Sequence, residues 1–596
     1  MSASARADFL NPALSERARQ FELALANGLA RLTELDKWMI VVGVSIASFV
    51  ELGARTAVNI ILVDMKGNVA ASQDQVSWVV IVYLAAFLAV LPLSGWLASR
   101  FGHRNYLVVS LLLYAAGALG CFFSGTLGEL LAARAVMGVG GGAFLVRSLV
   151  TLFRLHEGRR RLPTLLTFAA FVASSRAFVP VVFAVVTDSG RWNLAFLILV
   201  PPTLVAAAIL YLFVPAHLEL APEPPPTNSL ATTLAVVGLI ALQIAISRGE
   251  QDMWLQSSLI RWLFAICLVC LGVFVWWDTR LDNPNPILNL RLLRDEPMLA
   301  SGVGLALIFG AMLAAGLYVL PQYLRAIQNY SATQTSLFFC VDASTFFVGI
   351  VSAAFTLSKL NLRLIVLVGL AIAACANLLF VYELTSDTPT FALCLILLLH
   401  GLSLGILLPG VTNLLLGRTS FRLIDFGMTI YFFFRQLGAA IGVAATVALI
   451  DIRETLHSSR LLDTANRLSP SVDNSIRHLT LLLHSRNLPP NVAAAGAYQL
   501  FRGSVVQQTT LLAFIDMFWC LAFLAVAGFL LVLTLGWRDH VVHRVLSRPP
   551  EISKNLNQAR FTAPSHARPF RDPEDLLRIA WDGLGSTYKV HDRDPR

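Results

Sequence analysis

Residues 95–105, Gly-Trp-Leu-Ala-Ser-Arg-Phe-Gly-His-Arg-Asn, form a short basic stretch between two long apolar runs. Gly95 allows two helices to approach closely, and Gly102 can adopt the positive φ that a tight chain reversal requires. Arg100 and Arg104 favour the cytoplasmic side of a membrane, because short cytoplasmic loops are enriched in Arg and Lys. The stretch therefore predicts a cytoplasmic hinge that joins two transmembrane helices.

The composition extends this interpretation to the whole chain. The 596 residues are 56% hydrophobic and 14% charged, and the mean hydropathy is +0.69. A soluble protein of this length is less apolar, so we predict an all-α polytopic membrane protein. The net charge of +9 comes with arginines in short loops beside apolar runs. There they orient spans and meet anionic lipid, and we set nucleic-acid binding aside.

The apolar runs predict fourteen transmembrane helices, since a bilayer core needs about 20 apolar residues per helix. Six spans are expected near 38–62, 76–97, 105–124, 128–153, 162–186 and 193–214. Two follow near 230–247 and 257–277, and six more near 297–320, 333–357, 362–382, 389–416, 425–450 and 511–537. Arg and Lys are concentrated in alternate short loops, which places both termini in the cytoplasm.

The remaining segments lie outside the predicted spans. Residues 1–37 carry the periodicity of an amphipathic helix, and 215–229 form a Pro-rich linker. Residues 451–510 are predicted to be a periplasmic loop with short helices around 456–468 and 476–488, and 538–596 a flexible cytoplasmic tail. The corresponding domains are an N-terminal bundle (38–214), two extra helices with their connection (230–296) and a C-terminal bundle (297–537).

The hinge has a second copy in the C-terminal half. Residues 358–363, Ser-Lys-Leu-Asn-Leu-Arg, repeat the spacing of the basic residues in 99–104. Asn361 stands at the position of Gly102, and Asn is the other residue type that tolerates a left-handed turn. Two six-span halves with matching hinges are typical of a transporter that alternates access between its two sides.

Further motifs occur in a fixed order along the chain. They are Arg134 with Gly138, Gly140 and Gly142, then Arg191-Trp192, Leu242-Gln243 with 248–254, 320–324, 435–438, and Asp516 with Phe518. Together with the hinge they resemble the signatures of the major facilitator superfamily. The six-two-six layout is similar to its fourteen-span drug:proton antiporter branch, the EmrB/QacA type. The resemblance covers residues 38–537 and implies a major facilitator fold, with two six-helix bundles plus two extra spans.

The hinge departs from the family pattern at Ser99, where the family usually carries an acid. The predicted gate therefore depends on Gly95, Arg100, Gly102 and Arg104. Without an acid of the loop's own, its arginines are expected to pair with acids or helix C-termini elsewhere.

Two further departures concern the first and fifth spans. The first-span acid is absent, because Ala54 stands at its position, but Glu51 lies three residues earlier on roughly the same helical face. In the fifth span the Gly-Pro and paired glycines of the family survive only as Val179-Pro180. Close helix packing at Val179 therefore lacks the glycines that usually allow it.

Three carboxyl groups are candidates for proton coupling, namely Glu51, Asp342 and Asp516. An ionised group at mid-membrane costs about 2.5–3.5 kcal/mol on insertion scales, so each requires an explanation. A carboxyl group that alternates between an apolar environment and a nearby Arg couples protonation to conformation. The alternative for Glu51 is a permanent ion pair with Arg55 or Arg134. For Asp342 it is a contact with the hydroxyl groups two and three residues further on, and for Asp516 a structural partner or hydration.

A charge relay and substrate cavity is predicted from Arg55, Arg134, Arg435, Gln436 and His400. Arginines deep in a span, such as Arg134 and Arg435, can hold a carboxylate or an anionic substrate. His400 can titrate, and a satisfied packing role is its alternative.

The other polar and small residues of the spans have structural roles. Residues 138–142 contain four glycines, but no Lys-Ser/Thr follows, so helix packing accounts for them better than a phosphate loop. Arg147 and Arg176 can extend towards a membrane face. Cys267 and Cys270 have no partner ligands, and no metal site is predicted.

The predicted function is secondary export rather than enzymatic catalysis. The sequence has no nucleotide-binding motif, so the expected energy source is an ion gradient, and no cofactor is predicted. The resemblance implies export of amphipathic or lipophilic small molecules in exchange for protons across a bacterial inner membrane. It also implies a periplasmic adaptor and an outer-membrane channel as partners. The alternatives are a dedicated exporter of one metabolite, such as a siderophore, and a non-transporting scaffold or sensor.

Overall fold

A computed structural model describes residues 32–546, except for short gaps at 70–71, 157–159, 216–228, 281–287, 289, 291–292, 294–296, 357–360, 417–423, 465–469 and 487. The chain divides into a compact unit, Met1–Leu535, and a C-terminal unit, Gly536–Arg596, described only as helix to Leu546. Four predicted segments lie wholly or mainly outside the described residues. They are the amphipathic N-terminal segment, the Pro-rich linker, the first three residues of the second hinge, and the tail.

The regular elements in the described ranges are helices. The N-terminal half contains α1 (Glu34–Val69), α2 (Gln73–Val90), α3 (Ser94–Phe101), α4 (His103–Phe123), α5 (Leu127–Leu155), α6 (Arg161–Asp188) and α7 (Leu194–Phe213). Then come α8 (Ser229–Arg248) and α9 (Ser258–Asp278). The C-terminal half contains α10 (Pro297–Ala326), α11 (Ala332–Thr356), α12 (Leu362–Glu383), α13 (Thr390–Leu416), α14 (Ile424–Thr464), α15 (Pro470–His484) and α16 (Pro490–Leu546).

These helices confirm the predicted architecture. Fourteen of them are long and apolar enough to cross a membrane, with α2 and α3 counted as one span across a 3₁₀ turn at Leu91–Leu93. The chain is therefore a multi-pass membrane protein. The helix starts follow local chemistry, because Ser72 with Gln75 and Thr126 with Glu129 form capping boxes before α2 and α5.

The first hinge has the predicted backbone geometry and the second does not. Gly102 separates α3 from α4 with φ of 83°, the conformation for which a residue without Cβ is favoured. Asn361 precedes α12 with φ of −61° and ψ of 126°, which is ordinary extended backbone. The expectation of a left-handed turn at Asn361 is wrong. The two halves thus repeat the charge pattern of the hinge, but Asn361 does not repeat the positive φ of Gly102.

The glycine-rich run of α5 allows close packing, as predicted. A Cβ atom on Gly140 would lie 2.5 Å from the backbone nitrogen of Tyr114 in α4. Cβ atoms on Gly138 and Gly142 would overlap carbonyl oxygens of α2. Helices α2 and α4 therefore contact α5 through their backbones, which is how small residues bring membrane helices together.

The two halves meet along two pairs of surfaces. Helix α6 packs against α11, and α14 packs against α2, α3 and the turn between them, while α8 packs on α2 and α14. Close packing of α6 on α1 is present despite the lost family glycines. Gly53 of α1 faces Val179 so closely that a Cβ atom there would overlap the valine side chain. The expectation drawn from Val179 is corrected, because the small residue stands on the other helix of the pair.

The region 451–510 differs from its prediction. Helix α14 continues through 451–464, and α16 already begins at Pro490 instead of near residue 511. A separate short helix around 456–468 is therefore wrong, and so is a loop from residue 490 to residue 510, since the polar residues there extend the neighbouring spans. Only α15, at Pro470–His484, is a short helix of the predicted kind within the described part of this region.

Candidate functional site

Glu51 lies in α1 and is fully buried. Its Oε1 forms an ion pair with Arg55 Nε (2.8 Å) and accepts a hydrogen bond from Tyr83 Oη (2.9 Å), while Oε2 has no hydrogen-bond partner within the described residues. Gly141 of α5 makes room for this arrangement, because a Cβ atom there would lie 2.8 Å from Tyr83 Oη. Only one of the two carboxylate oxygens therefore has polar partners within the described residues.

Arg55 connects this carboxylate to the C-terminal half. Arg55 lies one turn after Glu51 in α1, and its Nη1 donates a hydrogen bond to Gln436 Oε1 of α14 (3.0 Å). Its guanidinium carbon lies 4.7 Å from the ring centre of Phe87 in α2. The structure therefore brings three of the predicted residues into one chain of contacts, Glu51 to Arg55 to Gln436, which crosses from one half to the other.

Arg134 and Arg435 flank this chain without pairing with the carboxylate. Arg134 Nε donates to the carbonyl oxygen of Val79 (3.1 Å), and its guanidinium carbon lies 4.4 Å from the Tyr83 ring centre. The alternative of a Glu51–Arg134 ion pair is therefore wrong. Arg435 is buried, its guanidinium carbon lies 4.9 Å from the Phe432 ring centre, and its Nε has no hydrogen-bond partner in the described ranges.

Asp342 forms a second buried polar cluster. Its Oδ2 lies 2.6 Å from Arg176 Nη2 of α6, and its Oδ1 lies 2.8 Å from His400 Nδ1 of α13. The alternative of a contact between this carboxylate and the neighbouring hydroxyl groups is wrong, because those of Ser344 and Thr345 donate to backbone carbonyl oxygens. Asp342 instead pairs across the interface between the two halves.

Asp516 lies apart from both clusters. His457 Nε2 is 2.8 Å and Arg453 Nε is 3.4 Å from its Oδ2, and 27% of the Asp516 side chain is exposed. Both partners belong to the part of α14 beyond its predicted membrane span. Asp516 therefore does not lie in a buried site of the kind that proton coupling requires. The structural-partner alternative fits Asp516 better than proton coupling does.

The predicted gating loop is held mainly by packing against its neighbours. A Cβ atom on Gly95 would lie 2.7 Å from Arg147 Nη2, so this glycine makes room for a buried arginine. The guanidinium carbon of Arg104 lies 5.1 Å from the ring centre of Tyr211, and that of Arg100 lies 5.9 Å from the ring centre of Trp96. Neither arginine forms an ion pair in the part of the chain that the structure describes. The expected acidic partners are therefore replaced by aromatic rings.

Comparison with known proteins decides the family. The model of the Major Facilitator Superfamily matches residues 44–443. The chain belongs to the major facilitator superfamily. This facilitator is 24% identical over 453 residues to the probable multidrug resistance protein EmrY of Escherichia coli, covering 75% of this chain and 86% of that protein. It is 24% identical over 443 residues to the multidrug export protein EmrB of Escherichia coli, with 73% and 84% covered.

Two more matches are consistent with this placement. The fatty acid resistance protein FarB of Neisseria gonorrhoeae is 23% identical over 453 residues, covering 74% of this chain and 86% of that protein. The crystal structure of a bacterial homologue of the human lysosomal transporter Spinster, inward-facing and unoccupied, shares 11% identity with a TM-score of 0.51. It covers 84% of this chain and 98% of that one, and shows the same fold. The family model and the matches to EmrY and EmrB together support the resemblance to the drug:proton antiporter branch.

Three residues that contact the predicted site residues were not predicted as site residues themselves. The hydroxyl group of Tyr83 donates a hydrogen bond to Glu51. Arg176 was expected to extend towards a membrane face, yet it pairs with Asp342. Arg147 had the same expectation and instead lies buried against Gly95. A charged residue in an apolar helix was the available signal for both arginines, but sequence alone does not give the direction in which each side chain points.

Proposed function

We propose that this facilitator is a secondary exporter that moves amphipathic or lipophilic compounds out of the cell in exchange for protons. The observation that carries the proposal is the state of Glu51, a fully buried carboxylate with one oxygen left without a hydrogen-bond partner in the described residues. A permanent structural ion pair normally satisfies both oxygens, because unpaired buried polar atoms are destabilising. An oxygen without a partner is a position where a proton can bind.

Proton binding at Glu51 changes the link between the two halves. An ionised carboxylate attracts a nearby guanidinium by charge, and a protonated carboxyl group does not. A neutral Glu51 therefore holds Arg55 less firmly, and the position of Arg55 is then decided by Gln436 and the Phe87 ring. Since α1 and α14 belong to different halves, the proton alters the balance between states in which these helices are close or apart. Asp342 is proposed to take part in proton coupling at the second cluster.

The surroundings of this cluster suit lipophilic substrates. Phe87, Tyr431 and Phe432 lie within 6.0 Å of a guanidinium carbon of Arg55 or Arg435. Aromatic rings beside a few fixed polar groups are typical of sites that bind apolar ligands with modest selectivity. The names of EmrY, EmrB and FarB indicate resistance or export for drugs and fatty acids, in agreement with this class.

The charges of the loops also bear on the location of this protein in the cell. We infer a bacterial inner membrane, both termini in the cytoplasm, and lipid as the surrounding partner, from the Arg and Lys bias of the loops. A periplasmic adaptor and an outer-membrane channel are proposed partners, inferred from the resemblance to EmrB.

Transport by the purified protein tests the function. Proteoliposomes with an imposed pH gradient are given a panel of lipophilic dyes, detergents and fatty acids, and the movement of each is recorded with and without a protonophore. We expect several unrelated compounds to move against their gradients, and the protonophore to abolish this. Movement of only one compound of the panel would support a dedicated exporter instead. No movement of any compound, with a correctly folded protein, would support a scaffold or sensor.

A further inference from the structure

We propose that His400 is a proton-binding site, and that its protonation state decides whether Asp342 holds the two halves together. The inference deepens the proposed proton antiport by adding a residue and a step to it. It is carried by the geometry of three buried side chains, Arg176, Asp342 and His400, with exposed side-chain fractions of 6%, 2% and 9%.

The three groups come from different halves of the molecule. Asp342 in α11 and His400 in α13 both belong to the C-terminal half, whereas Arg176 in α6 belongs to the N-terminal half. The Arg176–Asp342 ion pair (2.6 Å) therefore joins the halves, and the His400–Asp342 hydrogen bond (2.8 Å) does not. One carboxylate is shared between a partner across the interface and a partner on its own side.

The hydrogen bond fixes which nitrogen of His400 is free. An ionised carboxylate only accepts hydrogen bonds, so Nδ1 must carry the hydrogen that faces Asp342. The uncharged imidazole then has its lone pair on Nε2, which makes no hydrogen bond within the described residues. Gly316 of α10 leaves space on that side, because a Cβ atom there would lie 3.1 Å from Nε2. A proton can thus bind at Nε2 without breaking the contact with Asp342.

The charge balance of the cluster changes when that proton binds. With an uncharged His400, the single positive charge of Arg176 balances Asp342. With a charged His400, two cations compete for the Asp342 carboxylate. Because His400 lies in the same half as Asp342, it can balance the carboxylate charge without the contact to Arg176 across the interface. Among the groups that the structure shows facing His400, only Asp342 and Arg176 are charged. These groups are Asp342 from α11, with Arg176 from α6 beyond it, Gly316 from α10, and the Phe380 ring from α12.

The distance between the adjoining ends of α6 and α11 can report whether the Arg176–Asp342 pair weakens. Thr333 at the start of α11 donates to Asp188 Oδ2 at the end of α6 (2.5 Å), so the ends of the two helices adjoin. Ser189 and Gln334 are exposed beside this bond and belong to different halves. When the Arg176–Asp342 pair weakens, the distance between these two positions is expected to increase.

The test is a distance measurement on the full chain in lipid nanodiscs. The native cysteines are replaced, spin labels are attached at Ser189→Cys and Gln334→Cys, and distance distributions are recorded by pulsed EPR across the range where an imidazole becomes charged, from about pH 8.5 down to about pH 5. We expect a longer distance to gain population as the pH falls through that range. His400→Asn keeps a donor for Asp342 but cannot titrate, and is expected to show the short distance at every pH. Arg176→Gln removes the pair and is expected to show the long distance at every pH.

The chain supplies a matched control. His457 also pairs with an aspartate, Asp516, but both residues lie in the C-terminal half. His457→Asn is expected to leave the pH response unchanged. The proposal is overturned if His400→Asn keeps the wild-type pH response, or if the wild-type distances do not depend on pH. Because the readout is a distance, this failure with intact gradient-driven transport would leave the proposed function standing. A normal switch with no transport would overturn the function alone.

Discussion

Replacing Tyr83 by Phe removes a single hydrogen bond from the buried carboxylate and almost nothing else. The hydroxyl group donates to Glu51 Oε1 at 2.9 Å. The ring, which lies 4.4 Å from the guanidinium carbon of Arg134, is kept in Phe. The substitution therefore separates the proton chemistry of Glu51 from the packing of α2 against its neighbours.

The expected size of the effect follows from that geometry. Hydrogen bonds to charged groups are worth about 1.5–3 kcal/mol, and about 1.36 kcal/mol corresponds to one pH unit. A protonated Glu51 can also accept from Tyr83, so only part of this energy distinguishes the two forms. Because the ionised form loses more than the neutral form, the pH midpoint of transport should move upwards by about 1 unit.

The assay is gradient-driven transport in proteoliposomes at a series of pH values. Tyr114→Phe is the matched control, because Tyr114 is equally buried but its hydroxyl group has no hydrogen-bond partner in the described ranges. We expect Tyr114→Phe to keep the wild-type midpoint. The reasoning is refuted if Tyr83→Phe leaves the midpoint unchanged or moves it downwards.

Three further predictions concern packing, backbone and pH. Gly140→Ala should lower the melting temperature, since its Cβ would lie 2.5 Å from a backbone nitrogen of α4, whereas Gly128→Ala in the same helix meets nothing and should not. Gly102→Val should lose transport, because a β-branched residue at φ of 83° is strained by about 1–3 kcal/mol; full activity would remove the gate from the account. Burial lowers the pKa of His156, so the unfolded chain binds that proton more readily. The melting temperature should therefore fall as the pH drops below about 6.5, and less so in His156→Asn.

Hydropathy was sufficient to predict the spans, because an uninterrupted run of about 20 apolar residues matches the thickness of a bilayer core and is rare in soluble domains. The Glu51–Arg55 pair was also foreseeable as one alternative for Glu51, since residues four apart share a helix face. Helix ends outside the membrane were less predictable. Polar residues that continue α14 to Thr464 are compatible with either loop or helix, and only the folded structure decides between them.

Contacts between helices could not be predicted from the sequence, for a physical reason. The direction in which Arg176 points depends on the rotation of α6, which is set by packing and not by a run of apolar residues. The same holds for Gly53, which supplies the close approach that Val179 no longer permits on its own. Arg435 and Gln436 illustrate the limit well, since adjacent residues of one motif make different contacts.

The most direct test of proton coupling is to compare two kinds of transport in Glu51→Gln. Counterflow exchanges labelled for unlabelled substrate without a gradient, and gradient-driven export requires proton exchange. We expect Glu51→Gln to retain counterflow and to lose gradient-driven export, with Asp473→Asn, an exposed carboxyl group in α15, unchanged in both. Full gradient-driven export by Glu51→Gln would contradict the central claim that this carboxyl group carries the proton.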